Sequence, residues 1–234
     1  MKESIIIPIR DLGKKLVRCL DSIAVQDFAK SDYEVLCVFD SCTDDSEKIV
    51  QMWHTLHRDV CLRLFRCDCK CPGGARNVGL DNAVGDYIMF VDGDDWLMNT
   101  SAMTILYDAV QGHNAVRVMD HGVRGNMVKY SERLTIWLHF FSRALIGDDR
   151  FSDMLLCEDY EFVKRIRNKP EYDEAIVTTP LYFYEYDDVR MKNRIKTVVA
   201  ASKERAAQGL PPLYVSDGFI PEGARKALEK WRSS

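Results

Sequence analysis

The chain lacks any long hydrophobic run, and none of its apolar stretches approaches the ~20 residues that cross a bilayer. No transmembrane segment is expected. It also lacks a basic excess, since 32 Lys and Arg stand against 36 Asp and Glu, for a net charge of −4. A broad nucleic-acid surface would need the opposite balance. Glycine (13) and proline (7) are too sparse in 234 residues for a fibrous repeat or a Pro/Gly-rich disordered chain. No internal repeat and no low-complexity linker is visible, which argues against a solenoid. Met1-Lys2-Glu3-Ser4 runs directly into an apolar β segment, leaving no room for a secretory leader. The expected location is cytoplasmic, where the eight cysteines would be free thiols.

What remains is an ordinary globular composition, 47% hydrophobic and 29% charged, enough for one sizeable domain with a soft subdivision near residue 100. Its first hundred residues alternate strand and helix patterns. Ser4–Ile9 is a compact β run. Leu16, Cys19, Leu20 and Ile23 then recur at helical spacing. Tyr33–Phe39 reads as a second strand ending at Asp40, and Asp44-Asp45-Ser46 opens a helix to about Trp53. Val60–Phe65 reads as a third strand; Pro72-Gly73-Gly74 breaks the chain before a helix over 75–83. Such alternation signals parallel βαβ units and a nucleotide-binding type of sheet. Further on, the pattern predicts a helix over 101–110, a strand over 115–119 and a loop around Gly122, Gly125 and Asn126. An aromatic segment over 134–141 should cover the sheet, followed by a helix over 160–167. Two strands split by Pro180, a helix over 193–207, and a basic helix over 221–231 complete the chain.

The stretch Tyr87–Trp96 carries the chemistry. Tyr87-Ile88-Met89-Phe90-Val91 reads as a strand buried on both faces, and it stops at Asp92, Asp94 and Asp95. Two carboxylates about 4 Å apart repel by roughly 4 kcal/mol at an effective dielectric of about 20. A hard divalent cation removes that repulsion, and Mg²⁺-type sites use one or two carboxylates together with substrate phosphates. Ligands of open α/β sheets sit beyond the carboxyl ends of strands, where these acids fall. Cys67, Cys69 and Cys71, with Cys61 as a fourth ligand, raise a zinc alternative, although their spacing departs from the usual Cys-x₂₋₄-Cys. The competing account is three small side chains on one face of a strand.

Several segments together resemble the family 2 glycosyltransferases of the GT-A fold, over Ser4 to about Tyr186. They are Ser4-Ile5-Ile6-Ile7-Pro8, Cys19-Leu20-Asp21-Ser22-Ile23-x-x-Gln26, Asp40-Ser41-Cys42-Thr43-Asp44, Gly74-Ala75-Arg76-Asn77-x-Gly79, Asp92-Gly93-Asp94-Asp95, and Phe151 followed by Cys157-Glu158-Asp159. The resemblance implies an α/β fold with a mixed, mostly parallel central sheet flanked by helices. Residues 1–100 would be the nucleotide-sugar-binding half, 101–200 the acceptor-binding half, and 201–234 a C-terminal helical extension.

It also implies an inverting, metal-dependent transfer of one sugar per event from a UDP-linked donor to a hydroxyl of a saccharide, a lipid-linked intermediate or another acceptor. Asp40 would hydrogen-bond the nucleobase, with Pro8 and Arg10 beside it. Arg76 and Asn77 would help hold the nucleotide region, and Gly73, Gly74 and Gly93 would let the backbone approach it. Asp92 would contact the ribose or the metal, and Asp94 would ligate Mn²⁺ or Mg²⁺. Asp95 and Trp96 would serve as support or as sugar contacts; Trp137, Tyr182 and Tyr184 are further candidates for stacking on a sugar. Asp159, preceded by Glu158, would be the general base. Arg10-Asp11 replaces the family's usual Tyr-Asn. No His follows Asp159, so only Asp187 and Asp188 could substitute for a C-terminal histidine ligand. The absence of Gln-x-x-Arg-Trp argues against processive polymerisation. The basic residues Arg225, Lys226, Lys230 and Arg232 would form a solvated face or a peripheral membrane contact. Two other functions compete: a nucleotidyltransferase, for which Arg10–Lys15 is only a faint echo of the required Gly-rich basic loop, and a non-catalytic nucleotide-sugar-binding module.

Overall fold

The computed structural model describes residues 1–119, 134–185 and 188–209. The expected loop at Gly122, Gly125 and Asn126, Asp187, and the basic helix over 221–231 lie outside the described residues.

The elements are β1 (Glu3–Ile9), α1 (Lys15–Ala24), β2 (Tyr33–Asp40), α2 (Ser46–Leu56), β3 (Cys61–Cys67), α3 (Pro72–Asn82), β4 (Tyr87–Phe90) and β5 (Trp96–Leu97). They continue with α4 (Ala102–Ala109), β6 (Ala115–Val118), β7 (His139–Ser142), α5 (Arg143–Ile146), α6 (Glu158–Arg167), β8 (Glu174–Val177), β9 (Tyr182–Phe183) and α7 (Asp188–Ala207). Among the described residues seven strands form one sheet in the order β3-β2-β1-β4-β7-β6-β8, and β5 pairs separately with β9. The first four are mutually parallel, with Ile6 opposite both Leu36 and Phe90. No helix among the described residues is long and apolar enough to cross a membrane.

Alternation along β1 shows how the sheet is covered. Ile5, Ile7 and Ile9 face Leu16 and Leu20 of α1, Val50 of α2 and Leu106 of α4. Ile6 faces the other way, with Leu80 of α3 and Phe162 and Ile166 of α6. A strand with apolar side chains on both faces must sit in the middle of three layers. This places the carboxyl ends of β1, β2 and β4 at one rim.

Among the differences from the sequence reading, three shape the core and the site. The aromatic segment over 134–141 does not cover the sheet: β7 enters it, antiparallel between β4 and β6. Phe140 fills one core and Phe141 the other, so its alternation had to be satisfied inside the sheet. Helix α3 starts at Pro72 rather than after the glycines. Proline at a first helical position forfeits only an amide that has no intrahelical partner, and Cys71 Sγ accepts a hydrogen bond from the Gly74 amide at 3.3 Å. Strand β9, one of the two expected around Pro180, leaves the main sheet and pairs with β5, bringing Tyr182 to the acidic loop.

Candidate active site

The acidic loop leaves β4 after Val91, whose amide still donates to Ile6 O at 3.1 Å. The turn is closed by Asp95 N–H donating to Asp92 O at 2.9 Å. A Cβ on Gly93 would lie 2.6 Å from Leu12 Cδ1, just before α1, and 2.9 Å from Leu16 Cδ2 in its first turn. A side chain there would require the ends of Leu12 and Leu16 to shift.

Its three acids have different surroundings. Asp92 Oδ1 lies 2.8 Å from Arg76 Nη2, and its side chain is 26% exposed. Asp94 is half-buried, and its carbonyl accepts from Arg18 at 3.2 Å. Asp95 is 1% exposed, with Oδ2 accepting from the Tyr182 hydroxyl at 2.7 Å and Oδ1 from the Glu185 amide at 2.8 Å. Burial, reinforced by Asp92 and Asp94, raises the Asp95 carboxyl to about 8. Both its oxygens are taken inside the protein, which makes it a brace of the loop and not a surface contact for a sugar.

Trp96 is likewise engaged. The Arg18 guanidinium lies 3.6 Å from its ring centre and Phe183 stacks on it at 3.9 Å. Two groups cannot share one van der Waals layer, so each covers one face of the indole and neither face is open for sugar stacking. Trp137 stacks on Tyr182 at 5.0 Å and on Tyr184 at 5.3 Å, so these candidates for a sugar platform pack against one another.

Helix α6 delivers the second acidic pair. Cys157 precedes it in the left-handed region (φ 65°), and Glu158 and Asp159 occupy its first turn, where backbone amides favour negative charge. Glu158 is 3% exposed and lies 2.9 Å from Arg76 Nη1. Arg76 therefore clasps Asp92 with one nitrogen and Glu158 with the other. Burial works against its charge, yet these two carboxylates hold it above its ordinary value. Asp159 is half-buried; burial and the adjacent Glu158 raise its carboxyl to about 6.

On α3, Asn77 donates to Phe151 O at 2.9 Å and accepts from Phe151 N–H at 2.8 Å, so the backbone before α6 occupies both ends of its amide. Gly73 serves the same seam: a Cβ there would lie 2.7 Å from Ser152 O. The missing side chain of Gly73 lets α3 approach the chain before α6 closely.

Across the rim, Asp40 ends β2 and is 3% exposed. Its Oδ1 accepts from the Lys70 amide at 2.8 Å, and Arg10 Nη1 lies 3.9 Å from Oδ2. Pro8 sits in β1 opposite Val38. Cys61 stands exposed at the far end of β3 from Cys67. Six strand residues put them about 20 Å apart, and the four-cysteine zinc site is ruled out.

The family model described as glycosyl transferase family 2 matches residues 4–166. The chain belongs to that family. It is 37% identical over 97 residues to a poly(ribitol-phosphate) beta-glucosyltransferase of Bacillus spizizenii, covering 42% of this chain and 15% of that protein. Solved structures of GT-A glycosyltransferases share its fold. S. aureus TarS in complex with UDP superposes with a TM-score of 0.70 at 23% identity, over 84% of this chain and 64% of that one. A Pyrobaculum calidifontis mannosyltransferase bound to GDP-Man and Mn²⁺ gives 0.70 at 17%, over 99% and 79%. This family 2 glycosyltransferase thus spans less than a fifth of the curated Bacillus relative and under two thirds of the staphylococcal chain.

Sequence reasoning missed Arg18, Glu185 and the Tyr182 hydroxyl. Tyr182 meets Asp92 across 90 positions, and nothing in its neighbourhood marks a hydrogen bond to a distant loop.

Proposed function

We propose that this protein is an inverting, divalent-metal-dependent glycosyltransferase that moves one sugar per event from a nucleotide-diphosphate sugar, UDP-linked, to an acceptor hydroxyl. The supporting observation is the Arg76 clasp. One buried guanidinium joins the loop of Asp92 and Asp94 to the helix turn that carries Asp159. A donor-side acid group and a candidate base are thereby held in one rigid unit.

Asp92 and Asp94 would hold a hard cation, as two carboxylates at a strand's carboxyl end suit such an ion. When bound, Mn²⁺ or Mg²⁺ supplies Lewis-acid stabilisation of the charge that develops on the departing diphosphate. Asp40 accepts a hydrogen bond from the nucleobase, flanked by Pro8 and Arg10. Arg76 and Asn77 act on the nucleotide region at one remove, by orienting Asp92 and anchoring the chain before α6. Asp159 takes the proton from the acceptor hydroxyl as that oxygen attacks the anomeric carbon, inverting its configuration. A carboxyl raised to about 6 remains ionised at neutral pH and is a stronger base than an ordinary aspartate. The acceptor is a hydroxyl of a saccharide, a lipid-linked intermediate or another molecule.

The test is a panel of nucleotide sugars with Mn²⁺, scored for release of nucleotide diphosphate with and without acceptors. Asp94→Ala and chelation should each abolish donor binding and turnover. Asp159→Asn should bind donor normally and lose transfer. Transfer at the parental rate by Asp159→Asn would remove the base from this mechanism.

A further inference from the structure

Beside the acidic loop lies a second group of metal-type ligands that this mechanism does not use. A carboxylate oxygen of Asp40 and the sulfurs of Cys67 and Cys69 all lie within 4.8 Å of one another. Cys67 Sγ is 3.8 Å from Asp40 Oδ1. Around a tetrahedral zinc with bonds of about 2.0–2.3 Å, ligand atoms stand roughly 3.3–3.8 Å apart, so closure requires side-chain shifts of about 1 Å.

The backbone brings these groups together. Cys67 ends β3 directly opposite Asp40 of β2. The chain then turns back, with Lys70 in the left-handed region (φ 57°) and its amide donating to Asp40 Oδ1 at 2.8 Å. On a continuing strand, Cys69 would lie about 6.6 Å along from Cys67; the turn folds it inward. Cys71 lies outside the group whose ligand atoms meet within 4.8 Å, and its sulfur accepts from the Gly74 amide at the start of α3. Asp40 is almost fully buried whereas both thiols are half-buried, so a cation can enter from the solvent side. Arg10 stands 3.9 Å from Asp40 on a half-exposed side chain.

We propose that Asp40, Cys67 and Cys69 form a three-ligand site for a soft divalent cation of the zinc class, and that an occupied site excludes the nucleobase from Asp40. Two sulfurs select zinc over Mn²⁺ and Mg²⁺, which favour the all-oxygen pair Asp92 and Asp94. On binding, each thiol releases its proton to solvent as its sulfur–metal bond forms, and water completes the fourth position. The exclusion of the base rests on the nucleobase contact assigned to Asp40 under the proposed function. The metal site itself does not.

Two measurements on the full chain test this. The first titrates Zn²⁺ without nucleotide against a chromophoric chelator, with Co²⁺ as a spectroscopic probe. One equivalent should bind, and Co²⁺ should give a thiolate charge-transfer band. Cys67→Ser and Cys69→Ser should each weaken binding tenfold or more and lose the band, while Cys61→Ser and Cys42→Ser leave both unchanged. Cys42→Ser guards against the exposed group of Asp11, Cys42 and Asp44. Wild-type behaviour in both Cys67→Ser and Cys69→Ser, with unchanged melting temperatures, would overturn the site, as would loss of binding in Cys42→Ser alone. Cys69→Ala, in the loop beyond β3, repeats the test should Cys67→Ser misfold. The second measures UDP binding in Mn²⁺ with and without one equivalent of Zn²⁺. UDP affinity should fall at least tenfold in the parent protein and not at all in the Cys67→Ser/Cys69→Ser variant. Zinc binding by the cysteines with UDP affinity unchanged would overturn the exclusion and the base contact of Asp40 together, leaving the metal site intact.

Discussion

Arg76 Nη1 stands 2.9 Å from Glu158 Oε1, a hydrogen-bonded ion pair between groups 5% and 4% exposed, across 82 positions of chain. With Asp92 on its other nitrogen, this guanidinium is the buried counter-charge for acids of the loop after β4 and of α6. Removing it strands carboxylates where water reaches poorly. Arg76→Ala should cost about 3–5 kcal/mol, measured by urea unfolding. Arg76→Lys should recover only part of this, because one ammonium cannot match the two-pronged fork. Equal stability of Arg76→Ala and the parent would show that the pair is not coupled to folding.

Tyr182 holds the acidic loop by its hydroxyl, accepting from Asp92 N–H at 3.0 Å and donating to Asp95 Oδ2. Tyr182→Phe keeps the ring on Trp137 and leaves those two groups short of a partner. The expected loss is about 1–3 kcal/mol, with Mn²⁺ affinity reduced several-fold in a calorimetric titration because Asp92 is no longer pinned. If neither stability nor metal affinity moves, the hydroxyl does not position the loop.

Asp159 links activity and stability in opposite directions. As the base it must be ionised, so kcat/KM should fall about tenfold per pH unit below about 6 and level off above it. Its carboxyl is raised from 3.8, hence the folded state binds the proton more tightly than the unfolded chain. Stability from that proton is full below about 3.8 and lost as pH rises through about 6. Asp159→Asn should therefore be about 1 kcal/mol more stable than the parent at pH 7.5, with allowance for partial exposure, while transferring no sugar. Thermal melts paired with rate profiles check both. A parent rate that stays flat to pH 4.5 would contradict the assignment.

Glu3 is fully buried in β1, and among the described residues neither carboxylate oxygen has a hydrogen-bond partner. Burial raises it from 4.5 to about 8. The same sign applies: its proton stabilises the fold below pH 4.5, and this contribution is lost as pH climbs toward 8. Glu3→Gln, which never ionises, should gain on the parent by about 2–4 kcal/mol between pH 5 and pH 8, read from chemical unfolding at both values. A stability difference independent of pH would mean that Glu3 is ionised in the fold.

Local pattern alone sufficed for much of the first half. Tyr87-Ile88-Met89-Phe90-Val91 is apolar throughout, so β4 reads as a strand buried on both faces. Asp40 and Asp92 follow apolar runs, which places them at strand ends whatever the rest of the chain does. Glu158 and Asp159 are adjacent in sequence, and their shared helix turn needed no distant partner. Those facts depend on periods of two and 3.6 residues, which neighbouring residues set among themselves.

Where each side chain points depended on contacts made across tens of positions. Phe140 and Phe141 resemble a cover until β4 and β6 are present to receive β7 between them. Asp95 and Trp96 look available to a sugar until Tyr182, Glu185, Phe183 and Arg18 close around them. Asn77 turns to Phe151, and Cys61 is separated from Cys67 by the length of a strand. A residue's chemistry is written in its letter, and its surroundings come from whichever distant segment the core's packing presses against it.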